Sequence, residues 1–481
     1  MSGVLASKTV TGVGSSMKRI LQLVDAFRKR LGMDRAIAYV FAARVCMVFG
    51  STGTVLLIVH FLSKVEQGYY YTLLSLVNLQ IIFELGFSFV VLQLAAHEAV
   101  HLQFGSDGRI LGDPMRYARL AAILQKTARW YFVAGAIMAV TLLPAGITFF
   151  RRTTQPHDTV WLWPWTIAAV ATVVLFVLNP LCSFIEGYGQ VRQVAGMRFA
   201  QAGLAVAASW GSILLGKALY APGLMVVGNV IVVLVFLGRR RKIFLHFFRE
   251  KYDPKSLNWR TEVWSFQWRI AITWLCSYFT VQVLTPVLFA SRGPIEAGRM
   301  GMSLSISAYT WNLVYAWMST KATPFGQLIA KKEYAELDHL FFHTLWVSLG
   351  ILGVIVTFCM AGLVAIQHLF PNLASRMVSP QLFVLLLISA VSTLIVQSEA
   401  IYLRAHKEEP LLWQAVAVAL LTSGGAYFAA PRWGITGVCI VYFFCTGVIG
   451  VISATIIFRA KRRSRGRSIS VQRSLPLEVA S

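Results

Sequence analysis

The sequence predicts an all-α polytopic membrane protein, with twelve transmembrane helices in two pseudo-symmetric six-helix lobes around a central cavity. Three observations lead there. Of 481 residues, 57% are hydrophobic and only 13% charged, whereas soluble domains run near a quarter charged. Apolar runs near the ~20 residues needed to cross hydrocarbon recur along the chain. A short pattern also repeats at about half the chain length, the mark of an internal duplication.

The apolar runs fall at about 37–61, 68–96, 130–150, 161–184, 195–216, 221–238, 266–290, 299–322, 344–369, 382–403, 411–430 and 434–458. Residues 1–36 are polar and basic, so nothing there reads as a cleavable signal, and the first span is expected to act as an uncleaved anchor. Lys and Arg set the orientation, because short cytoplasmic loops keep positive charge. With both termini inside, the inner segments hold 34 of the 44 Lys and Arg residues and the outer loops hold 8. Both ends are therefore expected to be cytoplasmic.

The same distribution accounts for the net charge of +24. The clusters Gly238-Arg-Arg-Arg-Lys242 and Arg459 to Arg467 follow apolar spans directly, so anionic phospholipid is the expected partner and no nucleic acid is called for. No outer loop exceeds about 13 residues by this span count, which argues against enzymes that work through a large external domain. The six cysteines all lie in apolar runs without a CxxC pair and read as small core residues.

Val65-Glu66-Gln67-Gly68 lies over Ile295-Glu296-Ala297-Gly298 at an offset of 230, and Ser75 over Ser305 in the same register. The domains that follow are a basic cytoplasmic tail (1–36), an N-lobe (37–238), a basic linker (239–264), a C-lobe (265–458) and a second basic tail (459–481).

Polar residues inside the spans are the candidate site. Arg44 and Arg269 both fall within apolar runs, where a charge needs a partner or water. Counted back from Ser63 and Ser291, Arg269 lies over Phe41, about one helical turn from Arg44, so the two can face one cavity from opposite lobes. For Arg269 the alternative is snorkelling to the headgroups. Gln80, Glu84 and Ser88 recur every four residues and predict a polar stripe on the second helix, with Asn78 beside it; Glu84 is at a depth to meet Arg44, in a structural or a functional pair. Ser305, Tyr309, Asn312 and Ser319 make a similar stripe on the eighth helix, open to the alternative of helix–helix hydrogen bonding.

His97-Glu98-Ala99-Val100-His101 spells HExxH, a zinc-protease pattern. A third ligand is needed, and only Asp107 and Asp113 lie near. Interfacial polar caps are the expected role, an intramembrane zinc protease the remote alternative, and no metal or cofactor is expected. The sequence has no P-loop and no GxSxG, and the protein is not expected to be an enzyme.

The stretch from Leu62 to Gly86, the exit Ala95-Ala-His-Glu-Ala-Val-His-Leu102, the basic segment from Arg116 to Phe132 and Ile185-Glu-Gly-Tyr-Gly-Gln-Val-Arg-Gln-Val194 resemble the Wzx-type O-antigen and exopolysaccharide flippases of the multidrug/oligosaccharidyl-lipid/polysaccharide (MOP) superfamily. That resemblance implies flipping of an undecaprenyl-diphosphate-linked oligosaccharide across a bacterial inner membrane, alongside polysaccharide polymerase or export machinery. Arg44 and Arg269 would hold the diphosphate, and Asn78, Gln80, Glu84, Tyr309 and Asn312 would line the sugar path. The rival within the superfamily is a cation-coupled multidrug exporter; a scaffold of a synthase complex is a third reading.

Overall fold

The computed structural model describes residues 35–99, 102–104, 110–153, 160–249, 265–406 and 408–474. The first tail, most of the linker and the last residues of the chain lie outside them. Seven helical stretches among the described residues are long and apolar enough to cross a membrane. One of them, Leu412–Ser464, holds two passes. The chain reverses at Gly434 (φ +57°), three residues after Pro431, so that Gly425 lies beside Val441 and Gln414 Nε2 donates to the Gly450 carbonyl at 3.0 Å. With the more polar or broken passes added, the described helices make the twelve passes that hydropathy predicts.

The N-terminal half contains α1 (Arg35–Phe61), α2 (Lys64–Val77), α3 (Ile81–Glu84), α4 (Phe87–Ala99), α5 (Pro114–Thr153), α6 (Leu162–Gly187), α7 (Val191–Leu214), α8 (Ala221–Arg239) and α9 (Arg241–Arg249). The C-terminal half contains α10 (Ser265–Val281), α11 (Leu284–Arg292), α12 (Pro294–Ser319), α13 (Ala322–Ala330), α14 (Tyr334–Leu369), α15 (Pro371–Ala374), α16 (Pro380–Ala405), α17 (Leu412–Tyr442) and α18 (Val451–Ser474), with a π-helical stretch, Phe443–Gly450, between the last two. Twelve passes bring Arg35 and Ser474 to the same end of the bundle, called proximal below; the opposite end is distal.

Two expectations are corrected. The second pass is not one helix: a 3₁₀ turn, Asn78–Gln80, follows α2, and Leu85 (φ +49°) and Gly86 (φ +69°) separate α3 from α4. Gln80, Glu84 and Ser88 therefore do not form a stripe on a continuous helix. The seventh pass is likewise divided between α10 and α11. The fold is all-α as expected, with one small antiparallel pair, β1 (Leu102–Phe104) with β2 (Ile110–Gly112), in which Gln103 pairs with Leu111. The pair joins α4 to α5 at the proximal end, outside hydrocarbon, where water can satisfy the strand edges.

Within each half, small residues let the helices approach. Lipid tails are as apolar as leucine, so packing and hydrogen bonds must drive association in a bilayer. Gly50 and Gly53 of α1 lie against Val206 and Trp210 of α7, and Trp210 Nε1 donates to Thr54 Oγ1 at 2.9 Å. Gly146 of α5 receives the Trp165 ring of α6, whose Nε1 donates to the Leu143 carbonyl at 3.1 Å. The short helix α9 is amphipathic. It buries Phe244 and Phe247 and exposes Leu245 and Phe248, with the Phe247 ring 5.1 Å from Tyr117 and 5.5 Å from Phe184.

The halves meet most closely where α2 crosses α12 at the distal end. The repeat-related glycines touch: a Cβ on Gly68 would run into the Pro294 carbonyl oxygen, and one on Gly298 would lie 2.9 Å from the Gly68 nitrogen. Ser63 and Glu66 start α2 with a reciprocal cap, Glu66 N donating to Ser63 Oγ at 3.1 Å and Ser63 N to Glu66 Oε2 at 2.8 Å. That cap holds the α2 start in place beside the crossing. Replacing Gly68 by Ala is expected to push α2 and α12 apart and cost about 1–3 kcal/mol, lowering the thermal unfolding midpoint of the purified protein. Gly203→Ala, where a Cβ meets nothing within 4 Å, serves as the control and is expected to leave the midpoint unchanged or raised.

Candidate functional site

The interface between the halves is built from α1, α2 and the broken segment on one side and from α10, α11 and α12 on the other. At its distal end a polar seal surrounds the glycine crossing. The Gln67 side chain, only 1% exposed, donates from Nε2 to the Gly298 carbonyl at 2.9 Å and to the Arg376 carbonyl at 3.0 Å. Arg376, from the loop between α15 and α16, donates to Gln67 Oε1 at 3.2 Å and to the Leu62 carbonyl. Burial pushes the Arg376 guanidinium down from its ordinary value, and the Glu66 carboxylate opposes that shift. Arg299 adds a bond to the Ser375 carbonyl at 3.0 Å. Arg292 holds the reversal near Gly434 through the carbonyls of Ala430, Pro431 and Arg432 at 3.1, 2.7 and 3.0 Å, and Glu296 accepts from Ile435 N at 2.8 Å.

Below the seal lies a layer of aromatic side chains. Tyr69 meets Phe289 edge-on at 5.1 Å, and Phe150 packs on the same ring at 5.7 Å. Tyr278 of α10 donates to the Ser75 carbonyl at 3.3 Å. Tyr309 of α12 hydrogen-bonds Ser51 of α1, and Tyr70 hydrogen-bonds Ser209 of α7. All but the Tyr70–Ser209 bond join helices of opposite halves.

Further toward the proximal end, α12 presents Tyr309, Leu313 and Trp317, 47, 48 and 51% exposed and one turn apart. The exposed Asn312 donates from Nδ2 to the Ala308 carbonyl at 2.9 Å. Opposite, Asn78, Gln80 and Glu84 are half-buried in the break of the second pass, against which α10 packs. Glu84 hydrogen-bonds Ser88, whose Oγ lies 3.2 Å from Tyr131 Oη; its described partners thus belong to its own half. Arg269, near the proximal start of α10, is exposed, with its guanidinium 5.5 Å from the Trp268 ring. Arg44 lies on α1, which packs along α7, but its side chain is outside the described set, and so is an Arg44–Glu84 pair.

The zinc pattern resolves differently from its letters. The Glu98 carboxylate is buried and ion-paired with Arg116 at 3.0 Å and Arg119 at 2.8 Å, both from the first turns of α5. It thereby staples the proximal end of α4 to α5. His97 is mostly exposed, His101 lies outside the described residues, and no cluster able to hold a metal occurs among the described residues.

Sequence reasoning missed Gln67, Arg376 and Glu399. In the repeat, Gln67 lies over Ala297; this asymmetric position was the available signal. Glu399 is a buried carboxylate of α16, 3% exposed, beside Thr455 and Arg459 of α18, with Oε2 lacking a hydrogen bond.

No protein-family profile matches the chain, and no curated protein matches it. Solved structures do. An inward-facing multidrug resistance MATE family transporter of the MOP superfamily aligns over 88% of this chain and 99% of its own, at TM-score 0.58 and 14% identity. The chain has the MATE fold. An outward-facing transporter of that family aligns over 89% of this chain and 97% of its own at TM-score 0.54 and 14% identity. A MATE protein in a straight conformation aligns over 89% and 96% at TM-score 0.53 and 13% identity. The likeness to MATE structures thus spans both halves.

Three outcomes follow from the geometry. Arg376→Ala removes the guanidinium bonds of the seal, worth about 1.5–3 kcal/mol each. Spin labels on the exposed, repeat-related Val65 and Ile295 should then show a longer and broader distance distribution than in the unsubstituted background. Glu98→Ala leaves two part-exposed guanidiniums without their carboxylate and is expected to destabilise by about 1.5–3 kcal/mol, read as a lower unfolding midpoint. His97→Ala should leave both that midpoint and the zinc content unchanged.

Proposed function

We propose that the protein is a transporter that flips an undecaprenyl-diphosphate-linked oligosaccharide from the proximal to the distal leaflet, its two halves rocking about the α2–α12 crossing. The observation that carries this reading is Arg269. It is an exposed cation on a helix of the interface, without a carboxylate partner among the described residues, which suits an anionic group better than a cationic drug. Arg44 would meet the same diphosphate from α1. Asn78, Gln80, Glu84, Tyr309 and Asn312 offer hydrogen bonds to sugars, with Trp317 and Leu313 supplying apolar faces. The lipid tail would stay in hydrocarbon between the halves.

On this reading the proximal end is cytoplasmic, the membrane is a bacterial inner membrane, anionic phospholipid surrounds the basic proximal end, and polysaccharide polymerase or export machinery receives the product. The chain is then an N-lobe (37–238) and a C-lobe (265–458) joined by the basic linker 239–264.

A second reading has its own observation. Glu399 is buried with one oxygen unbonded, a place where a proton or cation can be taken up, and the similar structures include multidrug resistance transporters. This favours a cation-coupled exporter.

The test uses proteoliposomes holding a fluorescent undecaprenyl-diphosphate glycan, with leaflet exchange read by external quenching. Wild type should exchange the lipid, and Arg269→Gln should slow it about tenfold, as loss of a charge-assisted phosphate contact predicts. If wild type matches empty liposomes while a proton gradient drives cationic-dye efflux that Glu399→Gln abolishes, the exporter reading replaces the flippase.

A further inference from the structure

A groove outside the interface runs along the N-terminal half between α7 and α8 and reaches α1 at its proximal mouth. One part, of about 450 Å³, is walled by Met197, Ala200, Ile231, Val235 and Phe236. The adjoining part, of about 580 Å³, is bounded by Tyr39, Arg192, Gln193 and Gly196. Gln193 and Gly196 belong to both, so the two are continuous, and Gly196 keeps the floor open because its missing side chain would project toward the Tyr39 ring at 3.7 Å. Ile231 and Val235 are exposed on the outer wall, which in a bilayer means facing lipid tails.

The mouth is cationic. Arg192, Arg239 and Arg240 border it, and no Asp or Glu lines either part. The nearby Glu186 carboxylate is already taken by Arg198 at 2.6 Å. Arg240 is held in place, its Nε donating to Gln190 Oε1 at 2.8 Å and its guanidinium lying 3.8 Å over the Phe236 ring. Arg239 and Arg192 have no ion-pair partner among the described residues.

Depth is fixed independently. Immediately after Arg240 the chain enters α9, whose amphipathic pattern places it in the plane of the interface. The three guanidiniums thus sit where hydrocarbon gives way to headgroups, and the apolar walls continue inward from them. An apolar slot capped by unpaired cations at that depth matches a molecule with an anionic head and acyl chains.

We propose that this groove binds an anionic glycerophospholipid, with Arg192, Arg239 and Arg240 on its phosphate and one acyl chain along Ile231 and Val235. The site is separate from the transport path and does not rest on the identity of the transported substrate. It gives the N-terminal half a fixed lipid against which α1 and α7 pack at the proximal end.

Native mass spectrometry of the full chain, released from detergent after titration with phosphatidylglycerol or phosphatidylcholine, tests this. Phosphatidylglycerol should be retained and phosphatidylcholine not, with soluble glycerol phosphate failing to compete. The triple variant Arg192→Gln, Arg239→Gln, Arg240→Gln should retain phosphatidylglycerol about tenfold less well. Gly196→Leu, which fills the slot with every arginine intact, should do the same at an unchanged unfolding midpoint. Equal retention by the wild type and these variants would overturn the site. So would an equal loss on Lys321→Gln, Lys331→Gln, Lys332→Gln, which removes the same charge from the other half. Displacement of phosphatidylglycerol by undecaprenyl diphosphate at lower concentration would also overturn it, reassigning the groove to the polyprenyl lipid.

Discussion

The close crossing of α2 and α12 is the constraint on which the arrangement of the halves depends. Two glycines at equivalent points of the repeat bring the backbones into contact, and in a bilayer such contact substitutes for the hydrophobic driving force that soluble helices enjoy. Equivalent residues meet only on a symmetry axis, so the crossing marks the pseudo-twofold axis of the molecule. A side chain on either glycine would separate the halves where they are held most tightly. The polar seal then fixes the register: Gln67, at the variable position of the Val/Ile-Glu-x-Gly pattern, introduces a buried amide whose bonds converge on Gly298 and Arg376.

This geometry separates two mechanical roles. Glycine contacts can slide or tilt with little penalty, whereas a buried amide and guanidinium lose their partners all at once. The crossing and the seal therefore hold the distal end in two different ways. Toward the proximal end the side chains change from Tyr278 and Tyr309, which bridge the halves, to Leu313 and Trp317, which stand exposed on α12. The molecule is drawn together at one end and carries open faces toward the other.

Hydropathy made the number of passes legible, and the Val-Glu-Gln-Gly and Ile-Glu-Ala-Gly motifs made the duplication legible. The break between Val77 and Phe87 was not legible, because Leu85 carries no local mark of a left-handed conformation and a lone Gly86 in an apolar run is ordinary in membrane helices. The partners of Glu98 were hidden for another reason. Its neighbours by sequence are histidines, while its partners by structure, Arg116 and Arg119, return to it only after a β-hairpin. Arg376 counted merely as one charge in an outer loop, since nothing local shows that a residue 309 positions from Gln67 will share its hydrogen bonds.

That separation has a consequence for how the protein is made. The Glu98 staple closes within about two dozen residues and can form soon after α5 emerges, since short loops cost little entropy to close. Gln67, by contrast, enters the membrane with the second pass and waits for partners on the eighth pass and beyond the ninth. Until residues near Arg376 have been inserted, its amide sits in an apolar surrounding without its final partners. The seal is thus complete only in a chain made through Arg376, and the N-terminal half on its own cannot supply the partners of this buried amide.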